Sequence, residues 1–256
     1  MLALLSPAKS LDYQRPIPPF ASSAPRFGEE ATALAAAAAR LSARKLGELM
    51  HISDKLAQLN ATRFKAFETA DERPALYAFN GDVYLGFEAR SLDEAAIAFA
   101  QDHVRILSGL YGLLRPLDRI RPYRLEMGTR WAPGRARNLY GWWGERVSAA
   151  VADDLAAADT DIIINLASQE YWGVVAQHPP KNARIITIDF KEHGPNGLRF
   201  NSFAAKRARG MMARWLCEHR IGEPGHLKSF DSDGYRFDPI GSDEDRWLFV
   251  RGEALA

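Results

Sequence analysis

An arginine-rich segment at 105–137 is the part of the chain whose residue types best suit anion binding. It holds eight arginines, no lysine and two acids, a local excess of six positive charges in a chain whose net charge is +1. Glycines and prolines recur from Leu107 to Gly128, which restricts the path of the backbone. Each guanidinium presents a planar fork of donors that fits phosphate or carboxylate oxygens. The segment is therefore predicted to form a surface that holds an anion.

A helix predicted at 203–219 carries a second group of basic residues. Lys206, Arg207, Arg209 and Arg214 fall on one half of its helical wheel, and no acid occurs from Asn196 to Cys217. A solvated helix face usually carries charges of both signs. Two interpretations remain open for this helix, a solvated basic face and a phosphate-binding face.

Two short apolar runs, Leu2–Leu5 and Ile162–Leu166, are predicted to be buried strands. Each run ends at small hydroxyl-bearing residues followed by charge, with Ser6 and Lys9 after the first and Ser168 and Glu170 after the second. Ligands of open sheets bind beyond the carboxyl ends of strands, so these four side chains are predicted to lie in one crevice. The alternative is that both serines cap the turns or helices that follow.

Two further acids, Asp82 and Glu126, could bind a metal, act as general acid and base, or pair with the arginines and orient them. The six histidines show no metal-ligand spacing, and GxxxxGK[ST] and GxSxG are both absent. The sequence therefore predicts no metal and no cofactor. Cys217 aligns with Gly210 and Ala213 at helical spacing, which favours close helix packing over a redox role.

Two helices that meet around Ile52 form a further candidate site. Lys55 and Arg63 lie along the solvent edge of the second helix. In a helix-hairpin-helix motif, the hairpin and the next helix's N-terminus offer backbone N–H groups to a DNA phosphate. This hairpin would be His51-Ile52-Ser53, without the usual glycines. The alternative is a plain packed helical corner.

The elements that must position these residues are predicted to form one compact mixed α/β domain over 1–256. Its 47% hydrophobic and 25% charged residues are ordinary for a globular protein. No apolar run is long enough for a membrane helix, and the N-terminus lacks a basic leader, so a cytoplasmic protein without a membrane partner is expected. One cysteine excludes an internal disulfide.

Strands and helices alternate along the predicted domain. Beyond the two strands above, strands are predicted at Arg184–Phe190, Gly197–Phe203, Tyr235–Asp238 and Trp247–Val250, the first two as an antiparallel hairpin. Helices are predicted at about 29–50, 54–67, 93–104, 138–157 and 203–219. Ser91 with Glu94 is interpreted as a capping box for the third helix.

Six segments, in order along nearly the whole chain, resemble the YaaA family of bacterial peroxide-stress proteins. They are SPAKSLD at 6–12, ISDKLAQLN at 52–60, FNGDVYLGF at 79–87, LSGLYGLLRPLDRIRPYRLEMG at 107–128, NLASQEYW at 165–172 and AKRARGMMAR at 205–214. The resemblance implies a single domain of the family's own "cantaloupe" type, with a helix-hairpin-helix element in a positively charged cleft. It also implies DNA binding and a role in surviving peroxide with less free iron, but it brings no established reaction.

Carried onto this chain, the resemblance assigns the helix-hairpin-helix element to about 41–67 and makes double-stranded DNA the expected partner. The expected phosphate ligands are Lys9, Lys55, Arg63, Arg115, Arg124, Lys206, Arg207 and Arg209. Binding would be largely independent of base sequence and would weaken steeply with salt. The alternative is an enzyme acting on a phosphorylated or nucleotide-like small molecule in the same cleft. Its crevice would hold Ser6, Lys9, Asp82, Arg115, Arg124, Glu126, Ser168 and Glu170.

Overall fold

A central, mostly parallel sheet organises the chain. The computed structural model describes residues 1–195 and 197–252. The strands within them are Leu2–Leu5 (β1), Arg73–Pro74 (β2), Val104–Ser108 (β3), Gly112–Leu114 (β4), Arg119–Ile120 (β5), Ile162–Asn165 (β6), Arg184–Gly194 (β7), Gly197–Arg199 (β8), Arg236–Asp238 (β9) and Arg246–Arg251 (β10). The order across the sheet is β4-β3-β1-β6-β7-β10-β9, and β8 pairs with β7. The five inner strands β3, β1, β6, β7 and β10 are parallel, while β4, β8 and β9 pair antiparallel.

Helices cover the sheet, and the structure is a compact mixed α/β domain as predicted. They are Gly28–Ala39 (α1), Ala43–Met50 (α2), Asp54–Lys65 (α3), Ala75–Ala78 (α4), Asp82–Phe87 (α5), Glu94–His103 (α6), Leu139–Trp143 (α7), Arg146–Ala157 (α8), Gln169–Ala176 (α9) and Ser202–Glu218 (α10). The apolar run of β1 is fully buried between these layers, which explains its lack of alternation.

Three helix predictions need correction because local capping divides or shifts the helices. The helix predicted at 29–50 is two helices, since Ser42 caps α2 by accepting a hydrogen bond from Lys45 N–H. The helix predicted at 138–157 breaks at Gly144, whose φ of +51° ends α7. The capping box of Ser91 and Glu94 is wrong, because Asp93 caps α6 through Ala96 N–H at 2.7 Å.

The segment at 107–128, predicted to form an anion-holding surface, offers less uncompensated positive charge than its arginine count suggests. It contains β4 and β5 and the end of β3, and most of its side chains are buried. Its arginines are ion-paired: Arg115 with Asp118, Arg119 and Arg121 with Glu72, and Arg124 with Glu126. Glu72 lies outside the segment, so the local charge count overstated the positive charge available to a ligand.

Helices α5 and α10 cross in direct backbone contact. A Cβ on Gly86 would lie 2.1 Å from the carbonyl oxygen of Arg207, and one on Gly210 would lie 1.8 Å from that of Val83. Only glycine permits this approach. The small-residue stripe that includes Cys217 and Ala213 therefore does mark close helix packing, as the spacing predicts, and both residues are fully buried.

Candidate functional site

A cavity of about 990 Å³ opens beyond the carboxyl ends of β1 and β6, and we call it the strand-end cavity. All four residues predicted to lie beyond these strands line it, together with Asp82 at the start of α5 and two cations of α10. These predicted residues are Ser6, Lys9, Ser168, Glu170, Asp82, Lys206 and Arg209. The structure thus brings together residues that are up to 203 positions apart in the sequence.

Backbone hydrogen bonds hold the two loops that border this cavity. Asp12 N–H donates to Ala78 O at 2.7 Å, and Asn80 N–H donates to Ser10 O at 2.9 Å. The loop after β1 is thereby fixed against the turn that leads into α5. Tyr84 of α5 adds a hydrogen bond from its hydroxyl to Ser6 O at 3.2 Å. The polar residues of the cavity therefore stand on a rigid frame.

The two serines contact each other at the base of the cavity. Ser6 Oγ accepts a hydrogen bond from Ser168 N–H at 2.9 Å and donates one to Ser168 Oγ at 3.2 Å. Ser168 occupies the N-cap position of α9, yet its side chain makes no capping hydrogen bond. Ser168 Oγ accepts from Ser6 and donates to no other group among the described residues, so its hydroxyl proton is available to a ligand in the cavity.

Arg209 is a half-buried cation of the strand-end cavity. Its Nε is buried and has no hydrogen-bond partner among the described residues. Burial lowers the pKa of Arg209, and nearby Asp189 partly opposes that shift. Asp189 is itself ion-paired with Arg246 at 2.6 Å. A half-buried guanidinium without a carboxylate of its own favours an anionic ligand.

Positive side chains outnumber negative ones along the strand-end cavity. Its charged lining consists of Lys9, Lys191, Lys206, Arg209 and Arg246 against Asp82, Glu170 and Asp189, an excess of two positive charges. Lys206 Nζ lies 5.7 Å from the centre of the Phe203 ring, a cation–π contact that leaves its charge available. The cavity is therefore suited to an anion, with acids and hydroxyls placed beside it.

A second cavity of about 780 Å³ adjoins the first, and we call it the helix-pair cavity because the turn after α2 forms one wall. Its charged lining is balanced: Lys9, Arg124 and Arg130 against Glu48, Glu126 and Glu170. Lys9 and Glu170 line both cavities. This common wall joins the helix pair to the strand ends.

Glu126 forms ion pairs with Lys9 of that common wall and with Arg124 of the helix-pair cavity. Lys9 Nζ lies 3.2 Å from Glu126 Oε1, and Arg124 donates to the same oxygen from Nε at 3.1 Å and Nη2 at 2.9 Å. Glu170 accepts a hydrogen bond from Gly128 N–H at 3.0 Å. Glu126 was considered as a metal ligand, as a general acid or base, and as a partner of the arginines. In the structure it is an ion-pair partner.

Four of the predicted phosphate ligands line neither cavity. Lys55 is exposed on α3, and Arg207 is exposed on α10. Arg63 is half-buried near Tyr13, and burial lowers its pKa. Arg115 lies 3.5 Å from Asp118.

Three charged residues of the strand-end cavity escaped the sequence analysis, namely Asp189 and Lys191 on β7 and Arg246 on β10. Strand β7 extends beyond the end of β6, so these side chains continue the cavity wall. Residues 186, 188 and 190 are buried while 187, 189 and 191 are half-buried. This alternation of apolar and polar residues is visible in the sequence, and it indicates that Asp189 and Lys191 lie on the opposite face of β7 from its buried side chains.

Among residues 1–195 and 197–252, no three His, Cys, Asp or Glu side chains are grouped as metal ligands would be. Within the same residues, no helix has both the length and the hydropathy that crossing a bilayer requires.

The fold and the cavity define an α/β protein whose polar site lies at the carboxyl ends of a mostly parallel sheet. The chain belongs to the family described as peroxide stress protein YaaA, whose sequence model matches residues 1–240. A UPF0246 protein of Rhizorhabdus wittichii is 68% identical over 251 residues, which cover 98% of this chain and 99% of the relative. A UPF0246 protein of Paracidovorax citrulli is 51% identical over 259 residues, covering 99% and 100% of the two chains. The resemblance seen in the six sequence segments is thereby confirmed.

Proposed function

We propose that this peroxide stress protein binds duplex DNA in the cytoplasm through its phosphates and so limits damage by peroxide and free iron. The observation that carries the proposal is the charge of α10. Among the described residues, Lys206, Arg207 and Arg209 have no carboxylate within ion-pair distance, whereas the neighbouring Arg199, Arg214 and Arg246 are paired. Uncompensated cations on one helix face are what phosphate binding requires.

The eight expected phosphate ligands divide into two groups under this proposal. The paired group is Lys9, Arg115 and Arg124, and the group without a carboxylate partner among the described residues is Lys55, Arg63, Lys206, Arg207 and Arg209. A paired cation must give up part of its carboxylate interaction to bind a phosphate, so it contributes less. Helices α10 and α3 are therefore the proposed main contacts, and the arginine-rich segment is secondary.

The α2–α3 pair is the proposed helix-hairpin-helix element at about 41–67. His51 has the left-handed φ of 52° that glycine often supplies at a helix end, and Ile52 N–H donates to Gly47 O at 3.1 Å. Ser53 is the N-cap residue of α3, and its side chain makes no capping hydrogen bond. The first N–H groups of α3 are therefore open to a phosphate. With the two cavities as its cleft, the chain would form one domain of the family's cantaloupe type over 1–256.

The proposal is tested by fluorescence anisotropy of a labelled duplex across a salt series. The test variant is Lys206→Glu, and the control is Lys181→Glu, which makes the same charge change. Lys181 is exposed and precedes β7, at the opposite end of the sheet from the strand-end cavity. Affinity should fall with salt by about 0.9 log units per log unit of salt for each phosphate contacted. Lys206→Glu should weaken binding and lower that slope, while Lys181→Glu leaves both near the wild-type values. Equal effects of the two variants, or no binding at low salt, would contradict the proposal.

A second candidate function is an enzyme that acts on a phosphorylated or nucleotide-like small molecule. The observation that favours it is that Arg209, Ser168, Asp82 and Glu170 line one cavity. A surface that only binds phosphate does not need the two acids, whereas an active site can use them. A screen of phosphorylated compounds by thermal shift tests it. Stabilisation by such a compound, lost in Arg209→Lys, would support the enzyme, and a uniformly negative screen would contradict it.

A further inference from the structure

An exposed aromatic ring stands at the rim of the strand-end cavity. Phe200 lines the cavity and is 62% exposed, a large apolar surface to leave in water. Lys206 and Arg209 line the same cavity, and neither has a carboxylate partner among the described residues. A flat ring beside free cations is the combination on which unpaired bases and their phosphates bind.

The remaining lining provides groups for the edge and faces of a base. Asn165 lies at the end of β6, and Asp189 continues the wall on β7, so hydrogen-bonding groups of both kinds are present. Val83 and Ile188 add apolar contacts. We propose that the strand-end cavity binds a single unpaired nucleotide, with its phosphate on Arg209 and Lys206 and its base stacked on Phe200. This inference rests on the proposed phosphate-binding role of α10.

The size of the cavity decides between an unpaired nucleotide and a paired one. At about 990 Å³ it lies within the range of sites that enclose small molecules. A base pair stacked in a duplex cannot enter such a space, so a base reaches it only when it is outside the stack. The nucleotide therefore comes either from a free mononucleotide or from an extruded position in DNA.

The proposed contacts stand on elements that do not move easily relative to one another. Arg209 adjoins Gly210, where α10 touches the backbone of α5, and Asp82 begins α5. The backbone beside Phe200 is fixed at Asn201, whose side chain caps α10 and donates to Glu192 Oε2 at 3.2 Å. A preformed site of this kind loses little ordering entropy when it binds a ligand.

Anisotropy with two labelled duplexes of equal length tests the proposal, one fully paired and one with a single unpaired adenosine. Calorimetric titration with free deoxyadenosine monophosphate, compared with inorganic phosphate, provides the second arm. The variants are Phe200→Ala, Phe200→Tyr and, as the control, Ile240→Ala, because Ile240 is an exposed apolar residue that does not line the cavity. None of them alters a buried residue, so each is expected to fold.

The bulged duplex should bind more tightly than the paired one, and Phe200→Ala should weaken binding of the bulged duplex by roughly 5- to 100-fold. Phe200→Tyr keeps a stacking ring and should retain the preference, as should Ile240→Ala. A preference for the bulge without binding of the mononucleotide beyond that of phosphate identifies DNA as the source. If the mononucleotide binds more tightly than inorganic phosphate and neither duplex binds, the ligand is a free nucleotide. The nucleotide site then stands, and only the proposed DNA-binding function is rejected.

Two results would overturn the nucleotide site. One is that the two duplexes bind equally tightly, or not at all, and that the mononucleotide binds no more tightly than inorganic phosphate. The other is a bulge or mononucleotide preference that survives in Phe200→Ala. If the paired duplex binds in a salt-dependent way and either result is found, the DNA-binding function stands while the nucleotide site fails.

Discussion

The Cα of Gly210 lies so close to Val83 that a Cβ added there would stand 1.8 Å from the Val83 carbonyl oxygen. Gly86 makes the reciprocal approach, where a Cβ would meet Arg207 O at 2.1 Å. These contacts set the spacing of α5 and α10, and with it the position of Asp82 relative to the cations of α10. The two glycines therefore determine the shape of the strand-end cavity without lining it themselves.

Gly210→Ala should destabilise the protein although alanine is the better helix former by about 1 kcal/mol. The new methyl group meets backbone that cannot rotate away, and overpacking of this kind costs about 1–3 kcal/mol or more. The free energy of unfolding from urea denaturation measures the effect. Gly28→Ala is the control, because nothing lies within 4 Å of its Cβ and it begins α1. A Gly210→Ala protein as stable as the control would show that the helices can separate at little cost.

Asp154→Ala should destabilise the protein by about 3–5 kcal/mol, the usual cost of leaving a buried charge without its partner. Asp154 Oδ2 accepts from Arg105 Nε at 2.6 Å, both side chains are more than nine-tenths buried, and Arg26 binds the other carboxylate oxygen. The control Glu48→Ala removes exposed ion pairs with Arg44 and Lys45 and should not change stability measurably. Urea denaturation of the two variants gives the comparison, and similar losses in both would contradict the assignment.

The sequence predicted the strands of the sheet well where apolar runs are continuous. Strand β1 has the predicted bounds, and β6, β7 and β10 each differ from their predicted bounds by at most four residues at either end. Strand β4 was missed because its residues lie among the glycines of the segment at 107–128, and β3 was missed because it follows α6 directly and contains Arg105. Arg105 within β3 looks like a surface residue in sequence, and only its pairing with Asp154 allows it to be buried.

The candidate site could be predicted in part, because ligands of open sheets bind beyond the carboxyl ends of strands. Applying this rule requires only the positions of the strands in the sequence, without any interatomic distance. That rule brought Ser6 and Ser168 together, and they are hydrogen-bonded. It could not reveal which cations are compensated. Arg119 pairs with Glu72, 47 residues away in the sequence, whereas Arg209 has no carboxylate partner among the described residues. Ion pairing is a property of the folded chain, so local charge counts do not identify the available cations.

Stability should fall between about pH 4 and pH 2 in a way that depends on Asp12. Desolvation opposes ionisation of Asp12, but hydrogen bonds from the N–H groups of Gln14 and Arg15 and from the Arg15 guanidinium outweigh it and lower its pKa to about 2. A carboxyl whose folded pKa lies below its unfolded value, near 3.9, contributes stability above that value. This contribution disappears as the pH falls through the folded pKa.

Urea denaturation of the wild type and Asp12→Asn at several pH values measures that contribution. The difference in unfolding free energy between the two proteins should be greatest above pH 4 and shrink towards pH 2. Arg90 also pairs with Asp12, so the loop after β1 is the region expected to loosen first. A difference that stays constant over this pH range would contradict the role of Asp12.

Cys217 should not react with hydrogen peroxide while the protein is folded. The thiolate is the reactive form, and burial raises the pKa of the Cys217 thiol, whose residue has no exposed surface. Mass spectrometry after peroxide treatment should find the cysteine reduced in the native protein and oxidised in a guanidinium-unfolded sample, which serves as the control for intrinsic reactivity. Cys217→Ala should leave the salt dependence of DNA binding unchanged, because α10 keeps Lys206 and Arg207 on its exposed face. Oxidation of the native thiol at the rate of the unfolded one would mean that α10 opens readily, and the sensing of peroxide through this residue would then become the better explanation of the stress role.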